Sequence, residues 1–163
     1  MNQVHVHLLL NHVSILAAFF SLVILTVGLI RSEQVLIRTA MFGFLLSALV
    51  SIPVFLTGEA AEEAVENLPG ITEATIEEHE EAAAISIWVI EILGAISLIG
   101  LFIGNKYQRT ITTLLVVVGI VAVVSLSYTG LEGGKIRHSE IEGTTDNAGL
   151  VPQQESGDEE EDH

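Results

Sequence analysis

The chain has 163 residues, half of them hydrophobic, with no cysteine, six histidines and a formal net charge of −15 at pH 7. That acidity argues against a nucleic-acid partner, whose phosphates demand basic surface. The missing cysteine excludes disulfides, iron–sulfur clusters and covalently attached c-type haem. Charged residues are gathered into short stretches between long apolar runs, a membrane pattern rather than a soluble one.

Four apolar runs lie at about residues 5–30, 35–56, 82–104 and 111–128. Each has roughly the 20 residues that cross about 30 Å of hydrocarbon as a helix. Short connections between consecutive spans predict an all-α, polytopic membrane four-helix bundle with up-down-up-down topology over residues 1–142. No Lys or Arg precedes the first run, which is also longer than a signal-peptide core, so a retained span is expected. Arg31 and Arg38 flank the first connection, and Lys106 and Arg109 flank the third; Lys135 and Arg137 follow the fourth span. The bias predicts cytoplasmic first and third connections, with both termini and the acidic 59–81 connection outside.

The first span opens on His5, His7, Asn11 and His12. Imidazole and amide groups near hydrocarbon cost free energy unless something binds them, so this end reads as a haem or metal site. At about 100° per residue, His5 and His12 share a face while His7 points about 140° away from His12. His7 and His12 therefore cannot clamp one iron between them. His12, the deepest, is expected to pair with a histidine from elsewhere, and His7 to serve a second haem or stay interfacial like His5.

The second span carries Ser47 and Ser51 on one small-residue face, with Pro53 placed to kink the helix near its outer end. The 59–81 connection predicts two short helices, 59–67 and 72–81, broken at Leu68-Pro69-Gly70. Its glutamates suit a solvated surface, or a docking patch for a cationic partner such as a soluble cytochrome. His79 closes this connection at the level of His5–His12, with Glu78 and Glu80 available to orient its ring.

Glu91 lies near the middle of the third span, where a carboxyl group serves either proton or quinone chemistry or a hydrogen bond within the bundle. Gly100 and Gly104 read as a packing pair. After the fourth span, Gly130 is expected to stop the helix and Gly133-Gly134 to turn the chain back over the bundle mouth. That turn would deliver Arg137, suited to a haem propionate, and His138. The tail, residues 143–163, is acidic and Gly-rich and predicts disorder, with His163 there by chance.

Up-down topology brings the outer-end histidines to one face, the ordinary scaffold for b-type haem held by two imidazoles. Axial candidates are His7, His12, His79 and His138, enough for one or two haems, with His12 paired to His79 or His138. The stretch His7-Leu8-Leu9-Leu10-Asn11-His12-Val13-Ser14-Ile15 also resembles the N-terminal motif of a family of bacterial four-helix membrane proteins of unknown function. There a similar His, four residues, His pattern precedes an aromatic-Pro-Ile run; this chain departs from it at Leu8 and at Val13-Ser14. The resemblance implies interest in His7, His12 and a third histidine like His79, and it suggests haem b.

These features predict a b-type cytochrome of a bacterial inner membrane, or the cytochrome-like subunit of a larger redox complex. It would carry electrons between quinol and a soluble or membrane acceptor at the outer acidic face. Two other readings stay open: a non-catalytic anchor or assembly subunit, and a copper or zinc site, since imidazole suits both metals.

Overall fold

The computed structural model describes residues 3–66 and 71–137; Leu68-Pro69-Gly70, His138 and the 143–163 tail lie outside them. The chain forms α1 (Gln3–Arg31), α2 (Gln34–Leu56), α3 (Gly58–Glu63), α4 (Glu73–Phe102) and α5 (Gln108–Arg137), with a 3₁₀ turn at Asn105–Tyr107. No strand occurs among the described residues. The four long helices are each long and apolar enough to cross a membrane, which makes this a multi-pass membrane protein by length and composition.

Each long helix buries a narrow, small-residue stripe and exposes large apolar side chains. On α1 the buried positions are Ser14, Ala18, Ser21, Leu25 and Gly28, spaced alternately four and three residues apart. Phe19, Phe20 and Val23 of the same helix face outward. That spacing keeps one seam on a neighbour, as in bundles packed knobs-into-holes. In water the outward faces would be a large apolar patch, whereas in lipid they are the solvated surface.

Small residues bring the backbones together. A Cβ on Gly43 would overlap Ser21, and one on Gly94 would overlap Ala48. Phe44, Met41, Leu25, Ile90, Leu93 and Leu115 fill the core between these close approaches. Ser14 and Ser47 exchange hydrogen bonds across α1 and α2: Ser47 Oγ donates to the Ser14 carbonyl at 2.7 Å and Ser14 Oγ to the Ser47 carbonyl at 3.1 Å. Ser86 and Thr129 hydroxyls meet at 2.9 Å between α4 and α5. Such ties contribute about 0.6 kcal/mol each in a membrane bundle.

Two residues join α1 to α2. The Ser32 amide donates to the Leu29 carbonyl and the Glu33 amide to that of Gly28, a Schellman closure with Ser32 at φ 54°. α1 packs on α2 and α5, α2 on α4, and α4 on α5, so α1 and α4 lie diagonally across the bundle. The short α3 rests on the start of α1 and the end of α2.

Two helix ends differ from the sequence expectation. The 72–81 segment is no separate helix but the first turns of α4, started by Thr72, whose Oγ1 accepts from the Thr75 amide at 3.3 Å. Gly130 does not stop the fourth helix, and Gly133-Gly134 makes no return turn; α5 continues to Arg137. Each glycine costs only about 1 kcal/mol in a helix, and the packing described next holds this stretch helical.

Candidate functional site

Four chain segments meet at one end of the bundle: the start of α1, the end of α2, the start of α4 and the end of α5. His7 Nδ1 lies 2.9 Å from the Val54 carbonyl, with Thr57 Oγ1 at 3.3 Å. Val54 and Pro53 carbonyls belong to the last turn of α2, where they share the one Thr57 amide at 3.2 and 3.1 Å, and His7 adds a second donor to Val54. Pro53 sits inside this turn, and the Thr57 hydroxyl, 2.8 Å from the Pro53 carbonyl, supplies another.

His79 is built the same way on the opposite diagonal helix. Its Nδ1 lies 3.1 Å from the Thr129 carbonyl of α5. A carbonyl only accepts, so in both imidazoles Nδ1 carries a proton, and in the neutral ring the lone pair then lies on Nε2. A Cβ on Gly133 would sit 3.0 Å from His79 Cε1, so the glycine makes room for the ring. His7 and His79 are within electrostatic reach of each other and His79 also feels Glu132.

Glu132 is the functional-looking residue that the sequence reading passed over. Only 2 % exposed, it is ion-paired through Oε2 to Lys135 at 2.7 Å. The signal was available: Ser125, Thr129, Glu132 and Gly133 share one face at three- and four-residue spacing once α5 is allowed to run past Gly130.

The remaining candidates are distributed differently. His12 lies on an exposed face of α1, its Nδ1 turned to the Leu8 carbonyl of its own helix at 2.7 Å. The structure does not bring it to His79. His5 is exposed on the first turns of α1. Arg137 is the last helical residue, and His138 lies outside the described residues. Glu91, half-buried deeper in α4, takes a hydrogen bond from Ser51 of α2.

α3 closes over the His7 side of this end, since a Cβ on Gly58 would lie 3.9 Å from His7 Cε1. Its Glu62 lies near Glu80, the residue after His79; interaction with that carboxyl, burial and the charges of Glu66 and Glu59 hold the Glu62 carboxyl above its ordinary range. A cleft of about 160 Å³ opens nearby between α4 and α5, lined by Glu78, Glu81, Ser86, Ser125 and Tyr128 but by neither imidazole. Organic-ligand sites usually enclose about 300–1,000 Å³. The two imidazoles match a bis-histidine haem in donor chemistry, while the cleft beside them is smaller than such a macrocycle requires.

Zinc sites use three or four protein ligands, and among the described residues no three of His, Asp and Glu gather as a metal-binding group. No protein-family model, curated protein or solved structure matches the chain.

Proposed function

We propose that the chain is a multi-pass protein of a bacterial inner membrane that holds haem b between His7 and His79 and serves electron transfer. The observation that carries this reading is the diagonal imidazole pair, each ring with Nδ1 held on a backbone carbonyl and Nε2 outside that bond. Anchoring of the second ring nitrogen is what orients an axial histidine and raises its basicity. Bound haem would supply one-electron chemistry between a quinol and an acceptor at the outer face. The protein's own part is to fix both rings and to admit the group by lifting α3, which is short and bears no buried residue. The bundle runs up-down-up-down, with the termini and α3 outside and the Arg31, Arg38, Lys106 and Arg109 end in the cytoplasm. The axial pair is His7–His79, in place of the His12-centred pairing that helical depth alone suggested.

A second reading has its own support. The closed packing of His7 on α2 and His79 on α5 also suits a structural role, in which the rings cap helix ends in an anchor or assembly subunit.

A reduced-minus-oxidised spectrum after haem-replete expression separates the two. The cytochrome reading expects a sharp reduced α-band in the wild type, lost or converted in His7→Ala and His79→Ala and kept in His12→Ala and His5→Ala. A colourless wild type, or a full spectrum in both His7→Ala and His79→Ala, leaves the structural reading standing.

A further inference from the structure

The far end of the bundle carries a groove that the haem reading does not use. It lies between the start of α2 and the end of α4 and measures about 310 Å³, lined by Arg38, Phe42, Leu45, Leu98, Leu101 and Phe102. We propose that this groove is a binding site for one anionic phospholipid, its phosphate on Arg38 and the upper part of an acyl chain along Phe42, Leu45 and Leu98. The inference rests on the membrane reading of the chain and is independent of haem.

The geometry is that of a lipid seat. From Arg38 to Leu45 the helix rises about 10 Å, so the groove runs from headgroup level into the hydrocarbon. Its walls stay open to the outside: Phe102 is 84 % exposed and Phe42 60 %. Arg38 leans across the gap and donates to the Leu101 carbonyl at 3.3 Å. That bond engages one of five guanidinium N–H donors and positions the rest at the rim.

Charge selects the headgroup. No carboxylate lines the groove, and the connections at this end carry Arg31, Lys106 and Arg109 against Glu33 alone. Basic pockets between membrane helices on the cytoplasmic side bind acidic headgroups, at about 1 kcal/mol per cation near the surface. A quinone offers Arg38 only a neutral carbonyl oxygen, and a zwitterionic lipid offsets its phosphate with its own cation, so the net charge of an anionic phospholipid fits best.

Native mass spectrometry of the full chain in detergent, titrated with phosphatidylglycerol or phosphatidylcholine of identical chains, tests this. The wild type should hold its first phosphatidylglycerol about fivefold more tightly than phosphatidylcholine. Arg38→Gln should erase that preference and Arg38→Lys should keep most of it. Phe42→Ala with Leu98→Ala should weaken both lipids alike, and Arg109→Gln should change little. Helix content by circular dichroism confirms that each variant is folded. The proposal fails if Arg38→Gln keeps the preference, or if Arg109→Gln loses as much, which means diffuse surface charge. It fails equally if inorganic phosphate at the lipid's concentration displaces phosphatidylglycerol, which means a free-anion site.

Discussion

The Ser51 hydroxyl of α2 lies 2.9 Å from Glu91 Oε1 of α4, and 2.7 Å from the Ala48 carbonyl of its own helix. A carboxyl group at membrane depth is thus tied to a neighbouring helix rather than left facing lipid. Glu91→Gln keeps an oxygen acceptor for Ser51 and should leave melting in detergent within about 0.5 kcal/mol of wild type. Ser51→Ala should cost about 1 kcal/mol. If Glu91 handles protons for a quinol, Glu91→Gln lowers quinol turnover with the haem spectrum unchanged. Unaltered turnover leaves Glu91 as a tie between helices.

The Gly100–Gly104 pair is unequal. A Cβ on Gly100 would approach Ile111 Cγ2 to 2.7 Å and Met41 Cε to 3.0 Å, while one on Gly104 meets nothing within 4 Å. Gly100→Val should therefore destabilise by about 1–3 kcal/mol through overpacking. Gly104→Ala should be near neutral. Comparing melting temperatures in one detergent decides it, and equal losses would mean that both glycines pack.

The four spans were legible because apolar runs of that length have few other solutions, and the small residues Ser47 and Ser51 did mark a buried face. Helix ends were less legible. Glu73–Glu81 is polar enough to look like a loop, yet Thr72 caps it into α4, and polar helix projecting beyond hydrocarbon looks the same as a connection in sequence. Gly130 read as a stop, although His79 and Lys135 hold the turns around Gly133 in place. The site was half legible. His79 and His7 stood out, but depth alone favoured His12, and sequence cannot show that His12 faces outward and spends Nδ1 on its own helix. Glu132 was hidden by the assumption that the helix had ended.

The α3 contact should depend on pH. Glu62 sits above its ordinary carboxyl range because of Glu80 and the neighbouring charges of Glu66 and Glu59. The packed state thus binds the proton more tightly than the detached state does. Stability of the contact is present at low pH and is lost as pH rises through the raised value. Amide exchange over residues 59–65, corrected for intrinsic rates, should show more protection near pH 4–5 than at pH 7. Glu62→Gln should flatten that dependence. Greater protection at neutral pH would reverse the assignment.

Orientation can be tested cleanly because the chain has no cysteine. Ala64→Cys, in the acidic connection, should react with an impermeant maleimide on intact cells. Ser32→Cys, between α1 and α2, should react only after permeabilisation. The opposite pattern would invert the bundle and move the histidine end to the cytoplasm.

Gly133 and Gly134 offer a paired test of the His79 geometry. Both lie within α5, where alanine is favoured over glycine by about 1 kcal/mol. A Cβ on Gly134 meets nothing within 4 Å, so Gly134→Ala should raise stability by roughly that amount. On Gly133 the added carbon would sit 3.0 Å from His79 Cε1 and 3.3 Å from its Nδ1. The ring must shift by a few tenths of an ångström, against the hydrogen bond to Thr129 that fixes it. Gly133→Ala should therefore gain less than Gly134→Ala and should move the ¹⁵N resonances of His79, which Gly134→Ala leaves in place. With haem bound, Gly133→Ala should also perturb the α-band. If both substitutions stabilise equally and the His79 resonances stay put, the imidazole is not seated on that glycine, and the axial role given to His79 loses its geometric basis.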